Sequence, residues 1–298
     1  MISRIKSPIR EIDYDYTYVP EAIRNSFPEY DSRGRMRLSV SRMQLFEKCN
    51  LAFKLSYVDR LDLKEEDVTR ERLDMGKDLH DLFYIASFQK YPEIVRTHEL
   101  YAKYPEHCEN FIKFQHMMKR ICGDHRPIFA EKEVFDEDDF VVLYIDRIND
   151  LGDGTVEVLD YKTGNSSGSI RKHQFQLALY TYYIEKHLNL RVSKWSIYYT
   201  KDNKYKSMAV NRGKVNMIPE IVGLIRERID GCFSVGNFEK RPNQLCSFCS
   251  FMQFGLCNSS EHKSYNCFGL LDIYAKPWKE EEEEAERFIG GIRVTRDE

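Results

Sequence analysis

VEVLDYKTG, residues 156–164, closes a run of alternating apolar residues with an acid, an aromatic residue and a lysine. Successive side chains of a strand point to opposite faces, so Asp160 and Lys162 share one face and Tyr161 points to the other. The two valines of the stretch share the face of the charged pair. The pattern therefore predicts a buried strand that ends in two charges, and the alternative is an exposed ion pair at a strand end.

A second acid lies within reach of this strand end. Asp146 ends the apolar run LYID, and the LGDG segment at 151–154 predicts a tight hairpin between the two strands. Such a hairpin can bring Asp146 beside Asp160, where the two charges repel each other unless a cation lies between them. Mg²⁺ is commonly held by one or two carboxylates, with water and phosphate oxygens in its other positions. A metal there can polarise a phosphodiester, and the ammonium of Lys162 can orient a nucleophile or offset developing charge.

The segments around this hairpin predict a mixed α/β core. Three β-rich runs at 128–135, 140–150 and 155–163 form a meander, a helix follows over 173–188, two further strands are indicated at 194–200 and 205–210, and a last helix over 215–233. The chain has no GxxxxGK[ST] phosphate loop, which excludes an ATP-driven motor built on that loop.

The part of the chain before the strands has helical spacing. Serines at 39 and 41 can cap a helix that carries Leu45, Phe46, Cys49, Phe53 and Leu55 at helical intervals. A long amphipathic helix is predicted over 64–91, with Leu73, Leu79, Leu82, Phe83 and Ile85 as its apolar residues, and another over 105–122.

Composition indicates an ordinary soluble globular protein. The 298 residues are 42% hydrophobic and 31% charged, and no stretch is apolar enough for a signal peptide or a membrane span. We therefore expect a cytoplasmic protein of a bacterial or phage-infected cell. The net charge of −3 includes six glutamates at 280–284 and 286, which leaves the body mildly basic. Such a run predicts a solvated tail, with self-masking or partner binding as the alternative.

Four short motifs follow one another along the chain: MGKDLHDLF at 75–83, YIDRIND at 144–150, VEVLDYKTG at 156–164 and HQFQLALY at 173–180. Together and in this order they resemble the RecB-like branch of the PD-(D/E)XK nucleases, over roughly residues 38–258. The resemblance implies a restriction-endonuclease-like α/β fold, in which helices flank a mixed central sheet. It also implies an N-terminal helical region and a C-terminal loop that carries a cysteine cluster.

The resemblance implies a role for each motif residue near the strand end. Asp146 and Asp160 are implied to be metal ligands, Lys162 the catalytic lysine, and His80 an additional metal ligand. Tyr161 is implied to offer its backbone carbonyl to the same metal. The metal is expected to be Mg²⁺ or Mn²⁺, and an imidazole ligand suits Mn²⁺ better.

The next helix supplies two further residues under the same resemblance. Gln176 and Tyr180 lie one turn apart on one helix face and are implied to contact DNA or to orient Lys162. Glu131 matches an acidic position before the second motif, and its contact with the metal is left open. The basic SIRKHQ segment at 169–174 is a candidate for phosphate contact, and a solvated basic turn is the alternative.

The cysteines predict a second, separate site. Without an export signal the eight cysteines are not expected to form disulfides, and Cys108, Cys122, Cys232 and Cys267 are scattered. A second group is bunched as Cys-x2-Cys-x7-Cys, formed by Cys246, Cys249 and Cys257. Thiolates at such spacing hold zinc or an iron-sulfur cluster and need a fourth ligand, for which Cys49 is the candidate.

The resemblance favours iron for this second site. Iron-sulfur members of the branch, including the AddB nuclease domain and the CRISPR-associated adaptation nucleases, carry one cysteine before the nuclease core and three after it. This implies a [4Fe-4S] cluster on Cys49, Cys246, Cys249 and Cys257, which would close a ring of about two hundred residues where a cross-link is most useful. Zinc is the alternative, with Cys267 or His262 as substitute ligands, and four unligated thiols are the other.

The motifs together predict a metal-dependent DNA nuclease, expected to be an exonuclease acting on single strands or duplex ends in recombination, repair or phage DNA metabolism. The alternative is a nuclease-like module that binds DNA ends or docks on a helicase or recombination protein without cutting, and action on RNA is not excluded. We expect five segments: an arm at 1–37, a helical region at 38–127, the nuclease core at 128–235, the cysteine loop at 236–267 and an acidic tail at 268–298.

Overall fold

A mixed β-sheet forms the centre of the protein. The computed structural model describes residues 27–61, 63, 67–166, 170–257, 269–275, 287–289 and 292–295. Within them the strands are β1 Phe129–Asp136, β2 Val141–Asp150, β3 Val156–Lys162, β4 Val192–Tyr199, β5 Lys204–Ala209, β6 Arg287–Ile289 and β7 Ile292–Thr295. Their order across the sheet is β1-β2-β3-β4-β5-β7-β6.

Helices flank this sheet on both faces. Those in the described residues are α1 Val40–Lys48, α2 Asn50–Phe53, α3 Asp67–Ser87, α4 Leu100–Lys103, α5 Pro105–Cys122, α6 Gln174–Leu188, α7 Arg212–Asn216, α8 Ile218–Val235, α9 Ser250–Gln253 and α10 Asp272–Ala275. A π-helical turn covers Lys54–Val58, and 3-10 turns cover Pro92–Thr97, Ile170–His173, Cys246–Phe248 and Gly269–Leu271. None of the described helices has both the length and the apolar character that a membrane span requires.

The connections follow from strand direction. β1, β2 and β3 pair antiparallel and form the predicted meander, with Gly152 and Gly154 at positive φ in the hairpin between β2 and β3. β3 pairs parallel with β4, which requires a crossover connection. α6 provides that crossover, so its first turns return over the carboxyl end of β3. The predicted α/β architecture is confirmed.

Two buried clusters cover the two faces of the sheet. One contains Val158 and Trp195 with residues of α1, α6 and α8, and the other contains Tyr161 with residues of α3 and α5. Neighbouring residues of β3 therefore face opposite layers, as strand alternation predicts. The carboxyl end of β3 therefore lies between two packed layers.

Three predictions about the helical part need correction. Cys49 is not inside a helix: it lies between α1 and α2 with an extended φ of −165°. Its N–H closes α1 by donating to the carbonyl of Leu45, and the chain turns before α2 begins. Leu73 and Ile85 are 62% and 43% exposed, because the buried stripe of α3 runs through Leu79 and its helical neighbours instead.

The sheet also has two strands that the sequence did not indicate. β7 pairs parallel with β5 and antiparallel with β6, which extends the five predicted strands to seven in the described residues. The N-terminal arm up to residue 26 and the six glutamates of the tail lie outside the described residues, as do His262 and Cys267.

Candidate active site

Asp146 and Asp160 meet at the ends of adjacent strands. Arg147 of β2 pairs with Leu159 of β3, and continuing this antiparallel register places Asp146 opposite Asp160. The N–H of Tyr161 donates to Oδ2 of Asp146 over 2.6 Å, which fixes that carboxylate against the backbone of β3. The two acids are 7% and 2% exposed, so the predicted hairpin does bring two buried carboxyl groups together.

Lys162 completes the charged end of β3. Its Nζ lies 2.6 Å from Oδ2 of Asp160, and its side chain is 32% exposed. Burial opposes the charge on Lys162, but the charges of Asp160 and Asp146 outweigh that effect and raise the pKa of the ammonium. The lysine therefore stays positively charged with one side open to solvent.

α6 places Gln176 and Tyr180 against the same carboxylate. Nε2 of Gln176 donates to Oδ1 of Asp160 and to the hydroxyl of Tyr180, both over 2.7 Å. Burial, and then the charge of Asp160, raises the pKa of Tyr180 well above its usual value, so its hydroxyl stays neutral. Gln176 and Tyr180, one helical turn apart, thus fix the orientation of the Asp160 carboxylate, which also forms the ion pair with Lys162.

α3 brings His80 to the other side of Asp146. Nδ1 of His80 lies 2.9 Å from Oε1 of Glu131 and 3.6 Å from Oδ1 of Asp146. One potential ligand atom from each of these three residues lies within 4.8 Å of the other two. Glu131 thus lies with two of the residues that the motifs imply as ligands, His80 and Asp146.

The charges of this group are strongly coupled. Burial raises the pKa of Asp146 to about 8, and the nearby charges of Asp160 and Glu131 act in the same direction. Burial lowers the pKa of His80, but Asp146 and Glu131 outweigh it and raise that pKa to about 9. Like charges so close together are stable only with protons or a cation among them.

The available atoms suit a divalent cation. Oδ2 of Asp160 is buried, and its close partner is the ammonium of Lys162. Carboxylate oxygens suit Mg²⁺ and Mn²⁺, and an imidazole nitrogen is a ligand for the transition metals. His80, Asp146 and Asp160 therefore fit the metal that the motifs imply.

His173 lies in the basic turn before α6, and sequence reasoning named it only as part of the SIRKHQ segment. Nε2 of His173 is 3.3 Å from the hydroxyl of Tyr199, the residue that pairs with Lys162 across β3 and β4. Burial, and then the positive charge of Lys162, lowers the pKa of His173 to about 4, so its ring is neutral. Because His173 comes three residues before Gln176, about one helical turn, its position in the sequence could have indicated that it lies near the site. Lys172, in the same turn, is exposed.

The cysteines predicted to form a second site line one cavity. Cys49, Cys246, Cys249 and Cys257 surround a space of about 200 Å³ together with apolar side chains and Arg241. Backbone N–H groups donate to two of the sulfurs, from Arg241 to Cys49 over 3.5 Å and from Asn243 to Cys246 over 3.2 Å. Burial raises the pKa of Cys257, and the other three thiols add to the shift because they lie close by.

Comparison with known proteins gives the family. A search of curated proteins gives no match. Among solved structures, a "putative exonuclease" from Eubacterium rectale is similar, with 14% identity and a TM-score of 0.43, over 80% of this chain and 92% of that one. A model of the PD-(D/E)XK nuclease superfamily matches residues 37–254, which is more than half of the chain and includes every residue of the site at β3. The chain belongs to the PD-(D/E)XK nuclease superfamily.

Proposed function

We propose that the protein is a metal-dependent DNA nuclease and that it acts as an exonuclease. The observation that carries the proposal is the convergence of two buried aspartates, a histidine and a charged lysine at the carboxyl end of β3. A binding module has no need to keep two acids and a lysine in such a costly arrangement. DNA is the proposed substrate because the superfamily consists of nucleases.

His80, Asp146 and Asp160 would hold the metal in this mechanism, with the backbone carbonyl of Tyr161 as a further proposed ligand. Bound Mg²⁺ or Mn²⁺ would polarise the scissile phosphate and favour ionisation of the attacking water. Water attacks phosphorus in line and gives up a proton to solvent, the bond to the 3′-oxygen breaks and that oxygen takes up a proton, so a 3′-hydroxyl and a 5′-phosphate remain.

The residues around the metal ligands position and stabilise the reacting groups. Lys162, held by Asp160, orients the water and offsets the negative charge that develops on the phosphoryl oxygens. Gln176 keeps the Asp160 carboxylate in a single orientation, because it donates to one of its oxygens and is itself fixed by Tyr180. The exposed Lys172 beside the site is a proposed contact for a neighbouring phosphate.

A cleavage assay tests the proposal. End-labelled linear DNA, closed circular DNA and RNA are incubated with the protein and Mn²⁺, and Asp160→Asn is compared with Asp138→Asn, which changes an exposed turn residue. We expect loss of label from linear DNA only, with the rate lowered at least about a hundredfold by Asp160→Asn and unchanged by Asp138→Asn.

Other outcomes of the same assay are equally informative. Cutting of the closed circle would mean that the protein is an endonuclease. Cutting of RNA alone would mean that its substrate is RNA and not DNA. Tight DNA binding with no metal-dependent loss of label would favour the binding module. Equal rates for the wild type and Asp160→Asn would remove this site from the reaction.

We further propose that the four cysteines at the cavity hold a [4Fe-4S] cluster. A single zinc ion bound by sulfurs at 2.3 Å brings them to about 3.8 Å from one another. The four cysteines line a space of about 200 Å³, which supports a group larger than one ion. The backbone N–H groups that donate to Cys49 and Cys246 are the kind of contact that stabilises cluster thiolates.

A further inference from the structure

Glu131 has an unusual backbone for its place in the sheet. Its φ is +47°, the left-handed region that favours glycine, yet it lies inside β1. The other non-glycine residues with positive φ in the described part of the chain, Arg60, Phe140, Asn189 and Asn203, lie outside its helices and strands. A strand gains nothing from this conformation, since it costs stability and interrupts the ladder.

The strain lies directly beside the active site. Ala130 pairs with Arg147 and Lys132 pairs with Ile145 without any change of register, so Glu131 stands opposite Asp146. Both strands change face here. Ile145 and Ile148 of β2 belong to the same buried cluster although residues three apart on a regular strand face opposite sides.

The result of this local twist is the position of the Glu131 carboxylate. Its side chain is 6% exposed, and Oε1 lies 2.9 Å from Nδ1 of His80. It belongs to the group whose ligand atoms lie within 4.8 Å of one another. Strained backbone persists where a site requires a side chain that the relaxed chain would not deliver.

We infer that Glu131 is a third metal ligand beside His80 and Asp146, and that β1 keeps its strained residue in order to aim this carboxylate. The inference rests on the proposed function, because it concerns the same cation. It makes Glu131 a functional residue, although sequence reasoning left its contact with the metal open.

Four proteins test the role of the Glu131 carboxylate separately from the strain of its backbone. They are the wild type, Glu131→Gln, Glu131→Ala and Glu131→Gly. Mn²⁺ affinity is measured by calorimetric titration, and the melting temperature is measured in a chelator. We expect all three variants to bind Mn²⁺ at least about tenfold more weakly than the wild type, since even the loss of an outer partner costs that much. Asp138→Asn, in the turn after β1, is the matched control and keeps wild-type affinity.

The comparison of Ala with Gly isolates the strain. Both residues lack the carboxylate, and they differ in the cost of a Cβ at positive φ, so Glu131→Gly should melt about 2–4 °C above Glu131→Ala. Equal melting temperatures of Glu131→Ala and Glu131→Gly would show that the backbone at residue 131 is not strained. Wild-type Mn²⁺ affinity in Glu131→Gln would show that the Glu131 carboxylate is not a metal ligand. A wild type that binds Mn²⁺ but cuts no nucleic acid would end the proposed function and leave the third ligand standing.

Discussion

At the level of single residues, protons and a metal compete for the same atoms. Asp146 is buried beside the partly exposed His80. Burial raises the pKa of Asp146, and burial lowers that of His80 but the charges of Asp146 and Glu131 outweigh it, so the pair keeps a proton that a metal must displace. Metal ligands bind in their deprotonated forms, so the affinity of such a site depends on pH. The sign follows from both shifts: fewer protons remain on the ligands as the pH rises.

We therefore predict that Mn²⁺ binding strengthens between pH 6.5 and 8.5. The affinity should rise about tenfold per pH unit for each proton that binding releases. The measurement is a calorimetric Mn²⁺ titration at several pH values, in buffers of different ionisation heat that count the released protons. A His80→Ala variant should show a smaller dependence on pH. Constant affinity over this range, with no proton release, would contradict the coupled ligands.

The positions of the two aspartates and the lysine could be predicted because their side chains follow simple rules. Strand alternation puts Asp160 and Lys162 on one face, and the hairpin register puts Asp146 opposite, both of which the structure confirms. Glu131 could not be assigned, because nothing in AEKEVF indicates a positive φ. That conformation arises from how β1 and β2 twist together, which is a property of the folded sheet.

At the level of elements, a buried network of polar side chains around Glu157 contacts β3 and stabilises its position. Glu157 accepts hydrogen bonds from Asn149 over 2.8 Å, from Ser196 and from Tyr205, and its Oε1 lies 3.2 Å from Nζ of Lys194. Burial opposes the charge of Glu157, but Lys194 and these donors keep the pKa of its carboxyl below the usual value.

The network continues toward the active end of the strand. Asn149 accepts from Nε of Arg147 over 2.7 Å, and Nη1 of Arg147 donates to the hydroxyl of Tyr161 over 3.2 Å. Tyr161 is the residue whose N–H holds Asp146. This polar network thus helps to fix the position of Asp146, a proposed metal ligand.

Glu157→Gln is predicted to destabilise the fold by about 3 kcal/mol, because it leaves Lys194 without its partner in a largely buried pair. Urea unfolding gives the change in the free energy of unfolding. Glu137→Gln, on the exposed turn after β1, should change it by less than about 0.5 kcal/mol. A similar small change for Glu157→Gln would mean that the network contributes little.

The elements themselves follow largely from periodicity, and the exceptions have physical causes. The helix over 105–122 and the strands of the meander lie within a residue of their predicted bounds. Cys49 has the spacing of a helical residue, but it ends one helix and precedes the next. β6 and β7 have three and four residues, too few for an alternating pattern to be recognised.

At the level of the whole molecule, the cysteine cavity joins distant parts of the chain. Cys49 precedes the sheet, and the other three cysteines follow α8. Glu47 strengthens the same junction, since its buried carboxylate contacts Arg228 over 2.6 Å and accepts from the N–H of Leu270 over 2.7 Å. A cluster on these sulfurs would close almost the entire described core into a ring.

The prediction is that anaerobically purified protein is brown, absorbs near 400 nm and contains iron. Cys246→Ser should lose the iron and melt about 10–20 °C lower. A constraint on so long a loop is worth about 5 kcal/mol, and each kcal/mol moves the melting temperature by about 2–4 °C.

Cys122→Ser, which lies away from the cavity, is the control for this comparison and should keep both the iron and the melting temperature. A colourless protein with bound zinc would replace the cluster by the alternative metal. If the protein contained no metal and Cys246→Ser melted at the same temperature as the wild type, the four cysteines would not form a cross-link.

The parallel pairing of β3 with β4 also has a consequence for the newly made chain. The aspartates of the meander precede Gln176 in the chain, so the hydrogen bond of Gln176 to Asp160 can form only after α6 has been made, and β4 pairs with β3 later still in the sequence. Pairing of this kind forms slowly, because distant segments must find each other first. During synthesis the chain therefore carries the acids of the meander before α6 can fix the orientation of Asp160.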